Sequence, residues 1–390
     1  MGFSFVFYKN QNFIFLHNNR DGFLVIFTNK DLQNIHTCLR GSACSDLKIE
    51  YIINGITEKI TIVNRAENSL TQKKRPKGTC AAVTGAVIIN IKPKEEALKC
   101  MIEGFVRTDL AMEKGDKKGN GIKIREFTEN GFGIHEMEVS ENNSPGITPG
   151  RYVTIHVGQA WLLDKISLDG AVKTISGYIR KMASALGAGK SEPVLTVCLG
   201  NRKITSDAIG PLCADRLIVT RHLRTERREL FDSLGGTSVA VITPGVTGET
   251  GIESYESIMA AVRTVKPSYV ICVDALAAKN VDRLTTAVQL SDAGISPGSG
   301  VGNSRKEISF ATLGVPVISV GVPTVVQSST LVCDALEKAG ISEIPEALSQ
   351  LLKNETDFFV TPKETDIAVS ALAGLVAKAI NTSLLGFAEL

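Results

Sequence analysis

From position 150 onward the chain alternates short apolar runs with longer stretches whose apolar positions recur every three or four residues. Residues 150–157 (GRYVTIHV) alternate and are β-branched, so they read as a strand. Residues 169–186 have helical spacing and stop at Gly187. Residues 193–199 (PVLTVCL) are nearly all apolar, which suits a parallel strand buried on both faces. A helix is predicted over 207–221, a strand over 238–243 and a helix over 251–265. Strands follow at 269–273 (YVICV), 285–290 and 315–320, with helices over 325–338 and 366–384. This succession predicts an α/β fold, a mostly parallel sheet flanked by helices. Ligands of such sheets bind outside the carboxyl ends of the strands, so chemistry is sought there.

Composition narrows the class. Lys and Arg total 43 against 41 Asp and Glu, and hydrophobic residues make up 43%. Those values fit a folded globular protein and rule out disordered, collagen-like and coiled-coil chains. The eight cysteines include no C-x-x-C pair, so neither a disulfide scaffold nor a structural zinc site is expected, and a reducing cytoplasm is. The run considered for a membrane span, 81–91, is too short. The N-terminus lacks the features of an export signal.

The two parts of the chain differ. Residues 1–100 hold 14 basic and 8 acidic residues, a net +6, and seven of the 15 Phe fall in the first 30 positions. The remaining 290 residues carry a net −4. A boundary is therefore expected near Met101. Residues 1–100 read either as a basic domain for a polyanion or, preferably, as an atypical extension, disordered or preceding a true start at Met101. Its expected packing against the rest is poor.

Four segments at strand ends could carry chemistry. In the first, Gly200-Asn201 ends a buried strand and Asp207 opens the next helix; capping that helix is the ordinary role for such an Asp. In the second, Asp274 is the first charge after an apolar strand. Two carboxylates on one rim can share a proton, one acting as base on water while the other stays protonated. The third, SDAGISPGSGVGN over 291–303, contains Asp292, Gly298, Gly300 and Asn303. It matches no nucleotide-binding spacing, and reads as a loop that lets backbone N–H groups approach a substrate. The fourth places Glu253 either against substrate or at a helix start. No nucleophile elbow is expected, and no H-E-x-x-H is present. His222 reads as a charge at a helix C-terminus.

Together these segments resemble the germination protease family of spore-forming bacteria, endopeptidases that degrade small acid-soluble spore proteins. The segments that carry the likeness are VRTDLAME at 106–113, GRYVT at 150–154 and Gly200-Asn201 through DAIGP at 207–211. VTRHL at 219–223, PGVTG at 244–248, DALAA at 274–278 and the loop 291–303 continue it. LGVPV at 313–317, GVPTVV at 321–326 and VTPKE at 360–364 complete it. The resemblance implies a fold similar to hydrogenase-maturation peptidases, catalysis by Asp207 and Asp274, and support from Asn201, Glu253, Asp292, Gly298, Gly300 and Asn303. It implies no cofactor, though it leaves a metal role open.

It further implies a zymogen that cuts itself between Asp109 and Leu110. Residues 101–109 would then be a propeptide and 110–390 the peptidase domain. Partners would be spore-protein substrates and three further copies in a homotetramer, with no nucleic acid and no membrane, in the cytoplasm of the forespore or spore core. For self-cleavage the segment is expected to be exposed and flexible. The acid pair is expected on loops of adjacent strands, within reach of one bridging water. Two other readings use the same fold, a metallopeptidase of hydrogenase-maturation type and a binding protein without chemistry. A His or Glu at metal-ligand distance from the two Asp would favour the former.

Overall fold

The structure, a computed structural model, describes residues 106–114, 121–141, 147–187, 192–301, 305–341, 348, 350–352 and 358–386, together with six strands before residue 100. The chain divides into two compact units, Met1–Cys100 and Met101–Leu390. In the first, β1 (Ser4–Phe7), β2 (Phe13–His17) and β3 (Gly22–Ile26) form one antiparallel sheet. A second contains β4 (Leu47–Ile53), β5 (Ile56–Asn64) and β6 (Val87–Ile89).

The second unit is built on β7 (Ile122–Glu129), β8 (Phe132–Val139), β9 (Gly150–His156), β10 (Val194–Cys198) and β11 (Val239–Ile242). It continues with β12 (Tyr269–Ala277), β13 (Ala287–Ser291), β14 (Val317–Gln327) and β15 (Phe359–Val360). The sheet order is β11-β10-β12-β14-β13-β9-β8-β7, with β15 on β14. From β11 through β10 and β12 to β14 the pairing is parallel. From β14 through β13 and β9 to β7 it is antiparallel. The architecture is α/β as expected, but the sheet is mixed. The antiparallel half ends in the β7–β8 hairpin, whose turn residues Asn130 and Gly131 take φ of 50° and 86°. That left-handed pair is what a two-residue hairpin turn demands.

Helices α1 (Ala111–Lys114), α2 (Lys165–Ala185), α3 (Ile209–Ala214), α4 (Ser254–Val265), α5 (Ser328–Lys338) and α6 (Thr365–Leu385) accompany the sheet. On one face, Ile175, Ile179, Ile209, Leu372 and Val376 from α2, α3 and α6 pack on Ile271 and Val273. On the other, Ile258 and Val262 of α4 pack on Leu195, Val197, Val270 and Cys272. Alternate residues of β10 and β12 thus enter opposite layers, which is why both strands read as unbroken apolar runs. α6 has the length and hydropathy of a membrane span, yet 61% of its apolar window is buried in this core.

The helix predicted over 207–221 ends at Ala214. Beyond it the β-branched stretch Ile218-Val219-Thr220 runs beside β11. Thr220 N donates to Val239 O at 3.1 Å, and Val239 N donates to Thr220 Oγ1 at 2.9 Å. β-branched residues favour such an edge over a helix. His222 therefore lies at the N-terminus of the short helix Leu223–Glu226, not at a helix C-terminus.

Candidate active site

Asp207 and Asp274 are presented by the neighbouring parallel strands β10 and β12. Asp207 closes the single turn Thr205–Asp207 after β10. Two glycines make that turn compact. A Cβ on Gly200 (φ 115°) would lie 2.1 Å from Asp207 O, and one on Gly210 would lie 2.0 Å from Leu199 O. Asn201 fixes the turn, its N–H donating to Asp207 O at 3.0 Å and to Asp207 Oδ2 at 2.9 Å, while its Oδ1 accepts from Lys203 N.

Asp274 is not on a loop as expected but inside β12. It stands opposite Gly321 of β14 in a register that continues to Ala277. The two strands outrun β10 and carry the acid on their shared extension. Alternation turns its side chain to the same face as Val270 and Cys272.

The surroundings shift both acids upward. Burial pushes the Asp207 carboxyl up to about 6, against the opposing pull of the Asn201 N–H. Asp274 is pushed well above the usual carboxylate range, by burial first, then by the charges of Asp207 and Asp109, with the Ala275 N–H opposing. Both carboxyls therefore hold a proton more tightly than an ordinary carboxylate. One carboxylate that can take a proton and one acid that can give it is the division of labour hydrolysis needs. Among the described residues, no group of three or more His, Cys, Asp and Glu is arranged to hold a metal ion.

The third carboxylate, Asp109, arrives on the segment that was expected to be exposed and flexible. It is neither. Leu110 is fully buried among Leu276, Ala278, Leu284 and Val326. Asp109 N donates to Ala277 O at 2.9 Å. Ala277 N donates to Asp109 Oδ2 at 2.9 Å, and Ser299 Oγ donates to its Oδ1 at 2.5 Å. Gln289 spans the next two peptide groups, its Nε2 donating to Asp109 O at 3.3 Å and its Oε1 accepting from Ala111 N at 2.8 Å.

Glu113, its side chain 1% exposed, accepts from Lys279 N, Asn280 N and Arg283 Nη1 at 2.6, 3.0 and 2.6 Å, and from Thr108 Oγ1. A buried leucine and two satisfied carboxylates hold the segment down. Beside it a cavity of about 90 Å³ is lined by Ala111, Lys114, Tyr152, Gln289 and Ser291. Gly104, Gly115 and Gly119, which flank the segment, lie outside the described residues.

The other expected residues divide. Gly300 touches the site, since a Cβ there would lie 2.2 Å from Asp109 Oδ2. Gly298 takes φ 74° in the turn that presents Ser299. Glu253 caps α4 in a reciprocal bond pair with Glu256 and is also paired to Arg305 at 2.9 Å, so it serves the helix start and anchors the glycine-rich loop. Asp292 accepts from Arg151 N at 2.6 Å and ties β13 to β9. Asn303 lies outside the described residues. Gln289, Ser299, Lys279 and Arg283 were not anticipated. Gln289 did leave a trace, being a polar residue at an inward position of an apolar strand.

Comparison with known proteins gives one family. The profile described as Germination protease matches residues 101–340. The germination protease of Clostridium acetobutylicum is 35% identical over 311 residues, which cover 72% of this chain and 95% of that protein. That of Bacillus velezensis is 40% identical over 245 residues, 60% of this chain and 66% of that protein. The crystal structure of a NiFe hydrogenase maturation protease from Thermococcus kodakarensis aligns with 45% of this chain and 99% of its own, at 18% identity and a TM-score of 0.25.

Proposed function

The chain belongs to the germination protease family, and from that premise we propose that it is an endopeptidase that begins the degradation of small acid-soluble spore proteins, with Asp207 and Asp274 activating water. The observation that carries this is that adjacent parallel strands present two acids, Asp207 and Asp274, whose carboxyls are raised above the usual range by burial. Asp207, ionised above about pH 6, takes a proton from water as the oxygen attacks the peptide carbonyl. Asp274, held neutral by burial, gives its proton to the departing amine. The proton taken by Asp207 then restores the pair, and no covalent intermediate forms. General acid–base catalysis by positioned groups contributes about 10²–10⁴-fold.

The docked segment supports a zymogen. Its sequence, Thr108-Asp-Leu-Ala-Met-Glu113, resembles the sites the family cuts, and its Asp109 is bonded to Ala277, three residues beyond Asp274. Cleavage between Asp109 and Leu110 would release the anchoring carboxylate of Asp109 and leave Leu110 free to withdraw. Because the segment is buried in the resting chain, undocking must precede that cut. By the same family resemblance the enzyme works as a homotetramer in the spore core, without a cofactor.

The experiment is degradation of a purified small acid-soluble spore protein by the wild-type chain and by Asp207→Asn and Asp274→Asn. Both variants should fold and lose activity about a thousandfold. Full activity in either would remove that residue from the mechanism. A binding protein of the same fold would leave the substrate intact in all three arms.

A further inference from the structure

We infer that Thr324 is a positioning residue for the acid pair: it ties the turn that carries Asp207 to β14, the strand that also stands beside Asp274. The inference rests on the peptidase reading and deepens it by naming what fixes the relation between the two acids.

The acids reach the site by different routes. Asp274 lies inside β12, with Gly321 of β14 opposite. The strands are pressed together there, since a Cβ on Gly321 would lie 2.3 Å from Leu276 Cδ1. Asp207 lies beyond the end of β10, on a single turn. The backbone bonds that shape this turn are local: Ile204 N to Asn201 O, Asp207 N to Ile204 O and Ala208 N to Thr205 O. Such bonds set the shape of the turn but not its place relative to β12 and β14. A long-range bond does that. Thr324 Oγ1 donates to Ser206 O at 2.6 Å, across 118 positions of sequence.

The strand is built to make this bond. Its register runs Asp274 to Gly321, Ala275 to Val322 and Leu276 to Pro323, then Ala277 to Val325. Thr324 is thus the extra residue of a β-bulge, a feature that re-aims a side chain and accommodates a neighbouring proline. The bulge is clamped on both sides. Thr285 N donates to Pro323 O at 2.7 Å, and Ala278 N donates to Val325 O at 2.9 Å. Thr285 does so at φ 57°, a left-handed conformation that is an outlier for a β-branched residue. Strain of that kind persists where the surroundings over-determine it. Thr324 itself is fully buried, so bulk water does not compete for its hydroxyl.

One rigid strand therefore supports both acids, at points three residues or roughly 10 Å apart. Gly321 backs Asp274, and Thr324 holds the Asp207 turn. Misplacing a reacting group by about 1 Å can cost on the order of a hundredfold in rate. Thr324 bonds to a backbone carbonyl inside the fold, so its loss acts on turnover and not on substrate binding.

The test compares the full wild-type chain with Thr324→Val, Thr324→Ala and Thr324→Ser. The first two remove the hydroxyl, Val keeping the branched shape, and Ser keeps it. Amide exchange at Asn201 and Asp207 is measured, together with kcat and KM for a purified small acid-soluble spore protein. Mass spectrometry of the N-termini separates slow trimming from slow turnover. Without the hydroxyl, the Ser206 carbonyl loses its donor and exchange at Asp207 should quicken about tenfold. kcat should fall roughly ten- to a hundredfold at unchanged KM, and Thr324→Ser should restore both readouts. Unchanged exchange or unchanged kcat in a folded chain lacking the hydroxyl would overturn the inference. So would a Ser chain as impaired as the Ala chain, or a change confined to KM. A wild-type chain that leaves the spore protein intact, while exchange responds as expected, would sink the peptidase reading and leave the anchoring of the turn standing.

Discussion

The carboxylate of Asp109 lies directly over Gly300, where a Cβ would stand 2.2 Å from Oδ2 and 2.7 Å from the Ala277 Cβ. The carboxylate cannot move aside, because the Ala277 N–H and the Ser299 hydroxyl hold it from the other sides. Gly300→Ala should therefore expel residues 107–114 while leaving the sheet intact. Overpacking costs about 1–3 kcal/mol, so amide exchange at Asp109 and Ala111 should quicken roughly ten- to a hundredfold. Unchanged exchange would mean that the loop yields instead.

Asp207 makes stability depend on pH with a definite sign. Its carboxyl titrates at about 6 in the folded chain and at roughly 4 when unfolded. The folded state holds this proton more tightly, so the group's contribution to stability is fully present below about pH 4 and is lost as pH rises through 6. Near pH 7.5 the buried charge costs on the order of 3 kcal/mol, since a tenfold change in proton affinity is worth about 1.4 kcal/mol. Asp207→Asn should accordingly raise the urea midpoint at pH 7.5 and change it little at pH 4.5. The same stabilisation at both values would show that packing, not charge, is responsible.

Asp109 bears on Asp274 through its charge. It is one of the groups that raise the Asp274 carboxyl. Asp109→Asn keeps the shape of the side chain and removes the charge, so the Asp274 titration should move to lower pH. Carboxyl NMR titration of the full chain would detect this. No movement would place the two groups out of electrostatic reach.

How much of the fold and site was legible in the sequence depended on whether the contacts were local. β10 and the first half of β12 could be read directly, because strands buried on both faces must be apolar throughout. Asp274 stood out as the first charge after its apolar strand, and Asp207 as an acid opening the helix after β10. That Asp274 lies inside β12 could not be read, because the strand is prolonged by pairing with β14, whose register is a long-range property. The β7–β8 hairpin does carry a local signal, in Asn130-Gly131. The helix predicted over 207–221 failed because Ile218–Thr220 found a strand edge. The docking of Asp109 and Glu113 rests on partners about 170 to 190 positions away. Nothing in the segment's own pattern distinguishes it from a surface turn.

The acid pair is the central claim, and the chain's own segment tests it most directly. Wild-type, Asp207→Asn and Asp274→Asn chains are incubated separately, and their N-termini are followed by mass spectrometry. Wild-type protein should convert to a product beginning at Leu110. Both variants should stay uncut alone, yet be trimmed at the same bond when active enzyme is added. Conversion of either variant alone at the wild-type rate, or a product beginning elsewhere than Leu110, would contradict the account.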